Sequence, residues 1–193
     1  LVSSLNVSKK MMMFKMCTIT LIYRMILRSK TIKLTTILGL DPGLASLGWG
    51  VVRKSGTRIF YTAHGCITTK STEASCERIG YIRDTLTTII ETYKPSALAV
   101  ESLFFSRNVT SALYVAEVRG IIKLLAFDHK LPLFEYTPLI IKQAVCGNGR
   151  AGKEEVGKFV ALILGLSEIP APDHAADALG AAICCCNNAY YPG

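Results

Sequence analysis

Asp41 ends the apolar run Thr36, Ile37, Leu38, Gly39, Leu40, and Glu101 ends Ala97, Leu98, Ala99, Val100, while His174 and Asp177 stand three residues apart late in the chain. Short apolar runs bounded by turn formers, here Pro42 and Gly43 or Lys94 and Pro95, predict strands buried on both faces. An ionised carboxylate at the end of such a strand is costly unless it is paired, hydrogen-bonded or bound to a metal. The i, i+3 spacing of His174 and Asp177 puts both side chains on one face of a helix near its start. Oxygen-rich groups with one or two carboxylates per ion suit magnesium, which keeps several waters and takes other ligands from substrate phosphates. Two such ions about 4 Å apart clamp the attacking and leaving oxygens of an in-line phosphoryl displacement. Each residue also has an ordinary reading: Asp173 as a helix cap, Asp177 as a partner of the helix dipole, Asp41 as the Asp of an Asp-Pro-Gly turn. Taken together, the acidic positions favour the cation site.

The elements that must position these side chains follow from periodicity. After Ile37 to Asp41 come a turn and a strand over Leu47 to Val52, then a further strand or hairpin from Arg58 to Tyr61 and Gly65 to Thr68. Ile79, Ile82, Leu86, Ile89 and Ile90 recur at helical spacing between Cys76 and Tyr93, and Pro95 stops that helix. The strand bearing Glu101 precedes a long helix from about Val109 to His129, a strand at Leu133 to Tyr136, a helix opened by Pro138, and two more helices. Strands first, then alternating helix and strand, predict an α/β fold with a mixed sheet flanked by helices. Between Cys146 and Lys153 the run GNGRAG is either a plain flexible connection or a loop whose backbone amides, with Arg150 and Lys153, hold phosphate. It is not a phosphate-loop NTPase signature, because Glu154 follows Lys153 where Ser or Thr is required. Phe104 and Phe105, just past Glu101, are either core or an aromatic that wedges into or stacks on unpaired bases.

The string ILGLDPGLASLGWG from Ile37 to Gly50 resembles the opening of the RuvC-type Holliday-junction resolvases. The likeness continues through AVESLFFSRNVTSAL at 99–113, EVRGII at 117–122, LFEYTPLIIKQAVCGNGRAGKEEV at 133–156 and HAADALGAAI at 174–183. It covers about Thr36 to Asn188 in the family's order. The resemblance implies a ribonuclease H-like fold and a magnesium-dependent homodimeric endonuclease that nicks four-way DNA junctions symmetrically in recombination and repair. It implies a catalytic and metal-binding set of Asp41, Glu101, His174 and Asp177. At the position of His174 many members of the family carry Asp and others His. Two magnesium ions are expected, one shared by Asp41 and Glu101 and the other by Asp177 and His174, with manganese able to substitute. Metal-activated water would then attack phosphorus and leave a 5′ phosphate and a 3′ hydroxyl. By the same resemblance Lys142 and Lys153 engage DNA near the site, Phe104 is the aromatic at the junction crossover, and a branch-migration helicase is a partner.

Composition sets looser bounds. The net charge of +8 over 193 residues is carried by residues 1–36, whose Lys9, Lys10, Lys15, Arg24, Arg28, Lys30 and Lys33 have no acidic counterpart. The rest holds 15 basic against 14 acidic residues, a balance of +1, so bulk charge does not argue for nucleic acid and local distribution must. The expected organisation is a basic extension over 1–36, either a transit peptide or translated sequence ahead of the true start, and a nuclease domain over 37–193. Lys15, Arg24 and Arg28 interrupt the most apolar stretch before it reaches the roughly 20 residues a membrane helix needs. Seven cysteines without metal-ligand spacing point to reduced thiols and a cytoplasmic location, with Cys184, Cys185 and Cys186 as small packing residues. Two rivals differ in kind: a non-catalytic DNA-binding module of the same fold, and an actin-like or sugar-kinase phosphotransferase fragment. The intact acidic set weighs against the first, and the need for a second large domain weighs against the second.

Overall fold

In the computed structural model, residues 35–102 and 109–188 are described. Five strands form one sheet in the order β3-β2-β1-β4-β5. β1 (Thr35–Asp41), β2 (Ser46–Ser55) and β3 (Arg58–Thr68) make an antiparallel meander, and β4 (Ala97–Glu101) and β5 (Leu133–Tyr136) extend it in parallel. The helices are α1 (Ser75–Tyr93), α2 (Val109–Asp128), α3 (Pro138–Cys146), α4 (Lys153–Leu164) and α5 (Asp173–Asn188). The mixed sheet expected from the sequence is present. Of the strand or hairpin expected over 58–68, the strand is what forms, and it absorbs a register shift opposite Val51 and Val52. Phe104 lies outside the described residues, as do residues 1–34.

Strand alternation divides the core in two. Leu38, Leu40, Leu98 and Val100 face α1 and α2, where Ile82, Leu86, Val118 and Ile122 cover them. Ile37, Ala97 and Ala99 face the other way, onto α5 and the α3 and α4 helices that cover it. Both central strands are therefore apolar along their length, and the carboxylates at their ends fall on the α5 side.

α5 is the helix that most depends on its surroundings. From Ala175 to Cys186 every residue but Asp177 is buried, because the sheet lies below the helix and α3 and α4 lie above it. Small residues on both partners allow this. A Cβ at Gly39 would come 2.0 Å from the Ala178 carbonyl oxygen, and one at Gly50 would come 2.6 Å from the Leu179 side chain. Gly39 and Gly50 face each other across β1 and β2, so they form a shallow floor for the helix. Cys184 and Cys186 are packing residues, as expected: burial pushes their thiols up to about 11 and about 12, which leaves them protonated near neutrality. Lys54 donates to the Cys186 carbonyl near the end of α5. α3 and α4 start on an N-cap at Thr137, whose hydroxyl accepts from the Ile140 amide at 3.3 Å, and on Gly152, whose amide donates to the Glu155 carboxylate at 3.4 Å. Among the described residues no helix is long and apolar enough to cross a membrane.

Candidate active site

The parallel pairing of Leu40 with Val100 brings the next residues, Asp41 and Glu101, to adjacent strand ends on one face of the sheet. α5 supplies the other half. Its first turn passes so close to β2 that a Cβ at Gly48, the residue paired with Asp41, would sit 1.9 Å from the His174 carbonyl oxygen. That close approach sets His174 and Asp177 over the end of β1.

His174 Nδ1–H donates to Asp41 Oδ2 at 2.6 Å, which leaves Nε2 as the ring nitrogen with a lone pair. Asp41, His174 and Asp177 each offer a ligand atom within 4.8 Å of the others, a grouping able to hold a metal ion. Glu101 stands just outside this group, but the two aspartates reach it electrostatically. Burial, then the charges of Asp41 and Asp177, push its carboxyl up to about 7, against a partial offset from Lys142 and Lys153. Asp177 is also raised, by burial first and Asp41 second, with Lys153 and His174 opposing. Two half-buried carboxylates, both held above their ordinary range by burial and by the charge of Asp41, make a place where a cation would be stabilised. Hard carboxylate oxygens with one imidazole fit a divalent ion such as magnesium or manganese.

On the outer side of Asp177 opens a cleft of about 220 Å³ lined by Glu101, Lys142, Lys153 and Asp177 over apolar Pro138, Ile141 and Val156. Asp177 thus belongs both to the group with Asp41 and His174 and to the cleft with Glu101. Lys153, first residue of α4, places Nζ 3.3 Å from Asp173 Oδ2 and 3.4 Å from Asp177 Oδ2. Arg150 is exposed in the turn before α4, where its amide donates to Asn148 Oδ1 at 3.0 Å, and its side chain does not line the cleft.

The structure adds Arg119, a residue on α2 that sequence reasoning passed over. Its guanidinium is 11% exposed, donates through Nη1 to the Glu101 carbonyl at 2.6 Å, and pairs through Nη2 with Glu135 at 2.5 Å. It ties the ends of β4 and β5 to α2 and so fixes the backbone that carries Glu101. An arginine flanked by apolar residues in EVRGII was the available signal.

The RuvC family model, crossover junction endodeoxyribonuclease, matches residues 37–185. The chain belongs to this family. The protein of that name from Rubrobacter xylanophilus is 49% identical over 77% of this chain and 83% of its own length. The one from Pseudothermotoga lettingae is 45% identical over 78% of this chain and 93% of its own length. Among solved structures, T. thermophilus RuvC in complex with Holliday junction substrate is 37% identical over 78% of this chain and 92% of its own, with a TM-score of 0.75. The ribonuclease H-like fold and the nuclease class expected from the sequence are both borne out. The family is metal-dependent, and the group of Asp41, His174 and Asp177 is consistent with that requirement.

Proposed function

We propose that this chain resolves four-way DNA junctions by paired hydrolytic nicks. The observation that carries the reading is that Asp177 joins two groups: with Asp41 and His174 it forms a cluster able to hold a metal ion, and with Glu101 it lines the cleft edged by Lys142 and Lys153. Asp41, His174 and Asp177 form one cation seat, and Glu101 with Asp177 forms the second, so Asp177 lies between them. This grouping differs from the partition expected from the sequence because the His174 ring is hydrogen-bonded to Asp41. A magnesium ion held by these residues would supply charge neutralisation at a phosphate and a water of lowered pKa. The carboxylates fix the position and charge of the seats, and the apolar floor of the cleft limits competing water. Lys142 and Lys153, which line the cleft, attract phosphate, as does Arg150 from the neighbouring turn. Cleavage adds water across the P–O3′ bond and leaves a 5′ phosphate and a 3′ hydroxyl. Phe104, close in sequence to Glu101, is proposed as the aromatic at the junction crossover.

Two equivalent strands require two sites about a twofold axis. Exposed apolar residues on α2 support a homodimer: Leu113, Leu124 and Phe127 are 62%, 57% and 80% exposed and share one side of the helix with Glu117 and Gly120. Between them a Cβ at Gly120 would meet nothing within 4 Å, which leaves room for a neighbouring helix. The matched span begins at residue 37 and β1 at Thr35, two residues inside the extension expected over 1–36, so the proposed catalytic unit starts at β1, after the basic residues that end at Lys33. A branch-migration helicase and a cytoplasmic location complete the proposal. Strand-by-strand end labelling of a synthetic junction tests it: two nicks at equal distances from the crossover, in strands of like polarity and sealable by DNA ligase, are expected. A single nick, or ends that ligase cannot seal, contradicts it.

A further inference from the structure

Lys153 occupies a place that its expected role on DNA does not explain. Its ammonium is within 3.4 Å of Asp177 and 3.3 Å of Asp173, pointing into the acidic site. The carboxylates there are crowded enough to disturb one another, with Asp41 acting on both Asp177 and Glu101. Lys153 is also among the groups that ease this crowding at both residues. It stands at the first position of α4, on a backbone fixed by the Gly152–Glu155 cap, so the charge is delivered from a defined point. Its side chain is 57% exposed, which leaves the ammonium a path out to solvent.

We propose that Lys153 is the resident counter-ion of the metal-free site, and that a divalent cation binds Asp177 in competition with it. The inference rests on the reading of Asp177 as a metal ligand. Its consequence is an exchange: the ion that takes Asp177 releases the Lys153 ammonium toward the cleft mouth, where a phosphate can use it. Metal loading then prepares the anion-binding group in the same step. A lysine that merely supported the fold would weaken metal binding when removed; a competing lysine does the reverse.

The test uses the full chain without DNA and titrates magnesium alone, by calorimetry and by the magnesium-induced rise in Tm at fixed ionic strength, with circular dichroism to verify folding. Lys153→Gln is expected to bind magnesium about fivefold tighter than wild type, the order of effect of no longer having to break one exposed ion pair about 4 Å apart. Its magnesium-induced rise in Tm grows accordingly. Lys153→Arg, which keeps the charge, is expected to stay near wild type. Lys142→Gln, which removes a cation of the same cleft that has no ion pair among the described residues, is expected to change affinity less than Lys153→Gln. Wild-type or weaker affinity in a folded Lys153→Gln overturns the proposal while leaving the metal site intact. Absence of magnesium binding in wild type overturns both the proposal and the reading beneath it.

Discussion

Glu101 has the most distinctive electrostatics of the site. Its carboxyl, held up to about 7 by burial and by Asp41 and Asp177, is raised above its unfolded value. The folded metal-free protein therefore retains a proton there that the unfolded chain gives up near pH 4.5. Stability of the metal-free protein is expected to fall as pH rises from about 4.5 through about 7, and Glu101→Gln is expected to flatten that fall. Urea denaturation in EDTA at several pH values measures it, and parallel curves for the two proteins would refute the assignment. Proton and metal compete for the same oxygens, so magnesium affinity of wild type is expected to weaken as pH drops below about 7. The residue types and their strand-end placement were legible in the sequence because a charge ending an apolar run is hard to explain otherwise. The hydrogen bond from His174 to Asp41 and the pairing of Lys153 with Asp177 were not, since they join residues far apart in the chain.

α5 reaches the sheet over glycines, and the site depends on that distance. Gly39→Ala drives a Cβ to 2.0 Å from the Ala178 carbonyl, a backbone atom that can retreat only if the helix lifts. The expected cost is about 3 kcal/mol or more, at the upper end for an overpacked core. Gly48→Ala pushes directly on the His174 backbone, and a loss of magnesium affinity beyond its loss of stability is expected. Gly80→Ala on α1 is the control: nothing lies within 4 Å, and a gain of about 0.5–1 kcal/mol is expected from helix propensity. Thermal denaturation of the three variants decides the matter, and equal effects at Gly39 and Gly80 would sink the packing argument. Helical periodicity made α1 legible from Ile79 to Ile90, and Pro138 and the glycines around α3 and α4 marked those ends. The sequence of α5 reads as an undifferentiated run of small apolar residues. Only its burial between the sheet and two helices explains why alanine, glycine and cysteine fill it.

At the scale of the molecule, the apolar stripe of α2 and the symmetry of a four-way junction make one demand. Phe127→Asp, at the most exposed apolar position of that stripe, is expected to shift sedimentation from dimer toward monomer and to uncouple the paired nicks. An unchanged dimer would move the interface elsewhere. A chain beginning at Leu34, immediately ahead of β1, is expected to fold and cut, because the sheet begins at Thr35. The charge imbalance made that boundary visible, whereas the exposed apolar stripe of α2 was not, because apolar residues occur on both the buried and the exposed sides of that helix. The central claim is that the convergent carboxylates make a metal-dependent, structure-selective nuclease. Its most direct test is the single-turnover rate on a saturating four-way junction and on a linear duplex of the same sequence, as magnesium is raised from zero, for wild type and Glu101→Gln. Wild type is expected to cut the junction only with magnesium and to spare the duplex, while Glu101→Gln binds the junction equally and cuts it about 100-fold more slowly or not at all. Equal cutting of duplex and junction, or a Glu101→Gln rate equal to wild type, would contradict the account.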